Sequence, residues 1–296
     1  MSGEVAAAVL VVLVVGALAL AGFTARWVVG HPERIRVGIA WVADHPAVAW
    51  VRSHYPRQWR LLGRRFAPGE AAGLTLTLGV AMVLALGMGF GELLDNVLDG
   101  EGIAVADHPV VRFLAAHRQP WSTTAARVIT DIGSPVGVAV TAIVVGVALA
   151  WARWSWLPLL IFALGAGGIG VINMTVKRLV GRDRPPLATA MLDTPGFSFP
   201  SGHTVGTTVV WLLSAWMIGH WVIGRRAIQI AVWTGALLMI VAVGATRVYL
   251  GVHFPSDVLA GWALGAAWAV TIALVVSVWE QSPRTAGPVA VAPPQR

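Results

Sequence analysis

The sequence contains no cysteine, which excludes disulfides, thiolate nucleophiles and cysteine–zinc sites. Charge is also scarce. Asp, Glu, Lys and Arg make up 12% of the 296 residues, against roughly 25% in soluble domains. With so little charge, the chain is neither disordered nor a charged coiled coil. Lysine is nearly missing: Lys177 is the one lysine among 21 basic residues, a skew that GC-rich, bacterial-type coding produces. Apolar residues, by contrast, are abundant. They make up 57% of the chain, and mean hydropathy is +0.74. A soluble domain of this length could not hide so much apolar surface, so the composition implies a multi-spanning membrane protein. A net charge of +7 would suggest nucleic acid in a soluble protein. Here it is read first as membrane topology, and no nucleic-acid partner is expected.

A hydrocarbon core of about 30 Å needs roughly 20 apolar residues per helix. Seven runs qualify: Val5–Phe23, Ala71–Phe90, Gly133–Ala152, Leu157–Val176, Thr204–Val222, Ala227–Ala245 and Val258–Trp279. The leader of the first run carries Glu4 and no cation, which fits a retained anchor better than a signal peptide. The loop after it holds Arg26, Arg34, Arg36, Arg52, Arg57, Arg60, Arg64 and Arg65. Cations concentrate in cytoplasmic loops, so this loop belongs inside. That choice fixes every other loop and leaves eight cations outside: Arg112, Arg118, Arg127, Lys177, Arg178, Arg182, Arg184 and Arg247. Five of those eight lie in two short stretches that break the rule locally, so their charge needs another cause. The expected organisation is an N-terminal transmembrane anchor (1–30), a basic cytoplasmic loop (31–70), a six-helix domain (71–279) and a disordered tail (280–296). Asp44-His-Pro and Asp107-His-Pro each read as the capped start of a short amphipathic helix on the membrane surface.

Three segments carry chemistry. Lys177-Arg-Leu-Val-Gly-Arg-Asp-Arg184-Pro185 ends the fourth run, and Pro200-Ser201-Gly202-His203 precedes the fifth. Thr246-Arg247, then His253 and Asp257, lie between the sixth and seventh. The charge count alone puts all three on one membrane face. Lys177, Arg184 and Arg247 suit a phosphate, whose oxygens accept forked guanidinium bonds. Gly202 lets backbone approach a ligand, and free N–H groups of Ser201, Gly202 and His203 at a helix start would favour an anion. His253 and Asp257, four apart, allow a carboxylate to hold one imidazole nitrogen and free the other as nucleophile. His203 supplies a second imidazole able to protonate a departing alkoxide.

In order and spacing these segments resemble the type 2 phosphatidic acid phosphatase superfamily, the lipid phosphate phosphatases. Its pattern is Lys, six residues, Arg-Pro; then Pro-Ser-Gly-His; then Ser-Arg, five residues, His, three residues, Asp. Thr246 stands where the family usually has Ser. The resemblance spans about Ala71 to Trp279. It implies an all-α, polytopic membrane bundle: a six-span core of that family plus one extra N-terminal helix. It also implies a bacterial plasma-membrane enzyme with its site outside, and no cofactor or metal. In this resemblance His253 is the nucleophile that forms a phosphohistidine, Asp257 orients it and His203 is the general acid. Lys177, Arg184, Ser201, Gly202 and Arg247 bind phosphate. Candidate substrates are polyprenyl diphosphate, phosphatidic acid and phosphatidylglycerophosphate.

A phosphotransferase using the same site is the alternative. Vanadium haloperoxidases share the constellation but are soluble. A transporter or lipid-binding scaffold would place ionisable residues at mid-depth, and the spans contain none. Arg178 and Arg182 fit phosphate and anionic head groups equally well. Asp183 and Asp193 read as loop caps or ion-pair partners. The segment from Asp107 to Trp121 is a candidate interfacial gate. Gly165, Gly167, Gly168 and Gly170 read as close helix packing rather than a nucleotide loop. Trp151, Trp154 and Trp156 mark an inner interface.

Overall fold

A computed structural model of the chain describes residues 50, 53–56, 71–186, 190–192 and 195–281. The expected first span, most of the basic loop, the tail beyond residue 281 and Asp193 lie outside the described residues.

The regular secondary structure of the described residues is all helical, with no strand among them. The helices are α1 (Ala71–Asp99), α2 (Asp107–Ala116), α3 (Pro120–Ile132), α4 (Pro135–Arg153), α5 (Leu157–Phe162), α6 (Gly168–Val180), α7 (Gly202–Trp221), α8 (Arg226–Tyr249) and α9 (Pro255–Gln281). A 3₁₀ turn, Gly102–Ala106, leads into α2. A π-turn, Ala163–Gly167, joins α5 to α6, so Leu157–Val180 runs as one span. Among the described residues five stretches are long and apolar enough to cross a membrane: Leu76–Asp99, Pro135–Arg153, Leu157–Val180, Arg226–Tyr249 and Pro255–Glu280. The protein is a multi-pass membrane protein.

Each helix has a local cause. Ser134 accepts the N–H of Gly137 at 3.0 Å and Pro135 follows in the first turn, so α4 starts sharply. Trp268 Nε1 donates to the carbonyl of Gly165 at 3.0 Å, satisfying a backbone group inside the π-turn. Helix α7 is richer in Thr, Ser and Gly than its neighbours, because it faces helices rather than lipid. Val205, Val209, Val210, Leu213 and Met217 on it are buried, and they form the main core with Ile161, Phe162 and Ile169. Several helices outrun their apolar windows. Helix α1 continues through Glu92, Asp95 and Asp99, while α6 and α8 continue through Lys177 and Arg247. Lys177 and Arg247 therefore sit on last helical turns, while Arg184 lies on the loop after α6 and Ser201 and Gly202 open α7.

Two glycines let α9 approach α7 closely. A Cβ on Gly261 would lie 3.0 Å from Thr204 Cβ, and one on Gly265 would lie 2.9 Å from the carbonyl of Val205. The contact brings the starts of the two helices together, and Ser201 N–H donates to the carbonyl of Asp257 at 3.0 Å. At the opposite end, Trp151, Trp154 and Trp156 are exposed around a 540 Å³ groove. His220 and Trp221 both bond Glu280 there. This arrangement matches the interfacial reading of the tryptophans.

Candidate active site

The three sequence segments meet at one end of the bundle. Helices α6 and α8 end there, α7 and α9 begin there, and the loop holding Arg184 crosses between them.

His253 lies in the turn before α9 and is 2% exposed. Its Nδ1 is 3.2 Å from Asp257 Oδ2, and the same oxygen accepts the N–H of Phe254 at 2.9 Å. Its Nε2 is 3.2 Å from Nη1 of Arg184. A guanidinium can only donate, so Nε2 must be an acceptor and the proton belongs on Nδ1, directed at Asp257. Burial lowers the His253 pKa to about 4. Asp257 opposes the shift, and Arg184 and Arg247 reinforce it. The ring is therefore neutral at ordinary pH, with an Nε2 lone pair facing the cations.

Three cations, Lys177, Arg184 and Arg247, gather at this end of the bundle, each within electrostatic range of the others. Lys177 Nζ donates to the carbonyls of Phe197 and Ser198, at 2.6 and 3.2 Å. Arg184 donates to the carbonyls of Gly196 and Val252, at 2.9 and 2.8 Å. Burial lowers its pKa against the attraction of Asp257. Arg247 is 2% exposed; it donates Nη1–H to Thr130 Oγ1 at 2.8 Å, and its buried Nε–H has no acceptor among the described residues. None of the three pairs with a carboxylate among the described residues. Burying such a cation is costly unless an anion accompanies it. Unpaired positive charge and an orphaned donor together describe a seat for an oxyanion.

The helix start at Ser201 adds to that seat, with one correction. The N–H of Ser201 is not free, because it is bonded to Asp257, and Ser201 Oγ accepts from Thr204 at 2.9 Å. Gly202 and His203, in the first turn of α7, keep N–H groups without acceptors among the described residues. A Cβ on Gly202 would stand 3.2 Å from Asn173 Nδ2 and 4.0 Å from Lys177 Cε, so its absence leaves room beside the lysine. His203 lies within electrostatic range of His253, Arg247, Arg184 and Lys177. It also lines a 320 Å³ cleft with Gly133, Val138, Ile169, Asn173 and Gly202. The hydroxyl of Thr246 turns back onto the carbonyl of Val243.

Arg182 departs from both readings of the sequence. Its guanidinium is instead engaged by two carboxylates. Its Nη1 donates to Asp257 Oδ1 at 2.7 Å and Ser256 Oγ at 2.8 Å, and its Nη2 to Asp107 Oδ2 at 2.7 Å. The guanidinium packs 4.4 Å from the ring centroid of Phe254. Arg178, by contrast, is exposed. Asp107 is fully buried. It is the first residue of α2, which is preceded by Ala106 at the N-cap position, and its side chain does not cap its own helix. Instead Oδ1 accepts the N–H of Ser256 at 3.0 Å, capping α9, and Ser256 Oγ also donates to Asp107. Of the four glycines in the α5–α6 region, a Cβ on Gly165 would meet Leu213 and one on Gly168 would meet Trp268. Gly167 and Gly170 face open space.

A buried histidine–carboxylate pair beside three unpaired cations, carried on membrane helices, defines an integral-membrane phosphatase. Known proteins agree. The PAP2 superfamily profile matches residues 155–281. Phosphatidylglycerophosphatase B of Bacillus subtilis is 30% identical over 179 residues, covering 60% of this chain and 86% of the relative. Decaprenylphosphoryl-5-phosphoribose phosphatase of Mycobacterium tuberculosis is 36% identical over 155 residues, covering 50% of this chain and 77% of the relative. The crystal structure of a transmembrane PAP2-type phosphatidylglycerolphosphate phosphatase from Bacillus subtilis superposes with a TM-score of 0.62 at 28% identity. It covers 69% of this chain and 98% of that one. The chain belongs to the PAP2 superfamily and is a lipid phosphate phosphatase of that type.

Proposed function

We propose that the enzyme removes the terminal phosphate of a long-chain lipid phosphate or diphosphate at the outer membrane face, through a phosphohistidine on His253. The convergence of Lys177, Arg184 and Arg247 without a carboxylate partner carries this reading. Nε2 of His253 attacks phosphorus as the bond to the leaving oxygen breaks; His203, kept neutral in the empty site by burial and the nearby cations, takes up a proton as the phosphate dianion offsets their charge and gives it to that oxygen. Asp257 holds Nδ1–H and stabilises the charge the ring acquires. Water then attacks the phosphohistidine, His203 takes its proton, and orthophosphate leaves with His253 restored. Lys177, Arg184, Arg247 and the N–H groups of Gly202 and His203 stabilise the equatorial oxygens.

The cleft beside His203 suits the leaving group. Its walls are apolar apart from His203 and Asn173, as a lipid tail requires. The relatives' names include phosphatidylglycerophosphate, decaprenylphosphoryl-phosphoribose and, in Sulfolobus acidocaldarius, undecaprenyl-diphosphate as substrates. All join a phosphate to a long apolar tail. The outward orientation rests on the positive-inside count, which puts the basic stretch after the first run in the cytoplasm.

The test is phosphate release by detergent-purified protein in EDTA and H₂¹⁸O, with these three lipid classes and with phosphatidic acid, beside His253→Ala. The expected result is metal-independent release of phosphate carrying one solvent oxygen, lost in the variant. Equal release by the variant overturns the histidine mechanism. Phosphorus appearing on an alcohol acceptor instead of in orthophosphate overturns hydrolysis in favour of transfer.

A further inference from the structure

We propose that Arg182 and Asp107 are positioning residues for His253, acting through Asp257. This rests on the function proposed above, but the observation behind it is separate. Asp257 has two carboxylate oxygens with two different tasks. Oδ2 takes Nδ1 of His253 and the N–H of Phe254. Oδ1 is gripped by Arg182. Arg182 is in turn held by Asp107, and Asp107 is tied twice to Ser256, the residue before Asp257. All these carboxylates are fully buried, and the Arg182 side chain is 16% exposed. The fork of Arg182 thus fixes the carboxylate plane, and with it the direction in which Nε2 of His253 points.

The arrangement is not a generic ion pair. One guanidinium face lies on the Phe254 ring, and the two terminal nitrogens go to different carboxylates. A lysine could supply the charge but not the fork. Asp107 opens α2, whose Val110 and Phe113 are exposed while Val111 is buried. The helix at the mouth of the site is therefore pinned to the catalytic pair by its first residue. Swinging the start of this helix away would break the clamp.

Several titratable groups act on the His253 ring: Asp257 on α9, Arg184 on the loop, Arg247 on α8 and His203 on α7. Arg182 and Asp107 stand behind Asp257. Replacing Arg182 with a neutral residue removes a cation that competes for the carboxylate. The His253 imidazolium is then better stabilised, and the ring titrates at higher pH.

The experiment compares Arg182→Gln, Arg182→Lys, Asp107→Asn and the Arg182→Gln/Asp107→Asn pair with wild type and His253→Ala. It measures kcat and KM for phosphate release, per folded molecule by size exclusion, and the His253 titration by ¹⁵N NMR. Arg182→Gln is expected to lower kcat about 10- to 100-fold, as when the carboxylate partner orienting a functional histidine is lost. KM should stay within about threefold, since no substrate contact is removed. The ring should titrate at higher pH, and Arg182→Lys should recover part of kcat. The double variant should lose little more than the worse single one, because the two residues act as one unit. A raised KM with unchanged kcat would make Arg182 a substrate ligand and overturn the proposal. Normal kcat per folded molecule would make it purely structural and overturn it equally. Activity surviving in His253→Ala would instead sink the functional reading, whatever the Arg182 variants do.

Discussion

Nη1 of Arg184 sits 3.2 Å from Nε2 of His253, while Nδ1 of the same ring faces Asp257 Oδ2. The two contacts fix the tautomer from opposite sides. One neighbour can only donate and the other, as a carboxylate, can only accept, so the ring has one consistent protonation state. A phosphoryl oxygen bonded to Arg184 would then lie beside the attacking lone pair. One residue would thus bind the substrate and orient it for attack.

Asp257→Asn tests this arrangement directly. The amide keeps the size of the side chain but offers an NH₂ where Arg182 or Nδ1–H needs an acceptor. Turning its oxygen to Arg182 puts the NH₂ against Nδ1, and the ring must then move its proton to Nε2. The nucleophilic lone pair is lost. The expected fall in kcat is on the order of 10³-fold or more, by analogy with the wrong-tautomer effect in serine hydrolases. KM should change little. Acid-quenched turnover followed by ³¹P NMR should show no phosphohistidine in the variant. A loss below tenfold would mean the carboxylate does not set the tautomer.

The pH behaviour of the ring follows from its burial. His253 has its pKa lowered to about 4, chiefly by desolvation. A histidine with a depressed pKa is neutral above it and charged below it. The nucleophile is therefore available across the ordinary range and is lost only when pH falls through about 4. In ¹⁵N NMR of the unliganded protein, with His253→Ala for assignment, this imidazole should stay neutral at pH 5.5, where an unperturbed histidine is mostly charged. A midpoint near 6.5 would contradict the desolvated site.

Much of this site is legible in the sequence, and the illegible part has a physical pattern. Lys177, Arg184, His203, Arg247, His253 and Asp257 lie in short runs whose spacing carries their chemistry. The topology count had already placed those runs on one face. Arg182 was different. It stands in a run of cations, and a run of cations reads as an anion site. Its partners are 75 residues away in both directions, and no local spacing announces such a contact. Asp107 illustrates the same limit. Its Asp-His-Pro setting marks a helix start correctly, yet the N–H it caps belongs to another helix. The helices outrun the apolar windows for a related reason. Apolar windows stop at the first charge, but Glu92, Lys177 and Arg247 are helical because a helix need not end where the hydrocarbon does. The N–H of Ser201 was expected to face an anion. Close packing of α7 on α9 spends it on Asp257.

Arg247 gives the sharpest separation of stability from function. Its guanidinium is buried, and among the described residues it bonds Thr130 alone and its Nε–H has no acceptor. Holding a cation this way opposes folding, because among the described residues no carboxylate bonds it directly and the longer-range attraction of Asp131 does not outweigh its desolvation. An apolar side chain of similar length removes that cost and keeps the packing. Arg247→Met should therefore be as thermally stable as the unliganded wild type, or more so, while phosphate release falls by at least about 10²-fold from the loss of a transition-state donor. Ligand binding provides the cross-check. Orthophosphate in excess of its dissociation constant raises the Tm of a protein that binds it only when folded. The wild type should show this shift in a detergent thermal-unfolding assay, and Arg247→Met should show little or none. A variant that is clearly less stable than the unliganded wild type, yet still stabilised by orthophosphate, would mean that Arg247 serves the fold and that the oxyanion sits elsewhere.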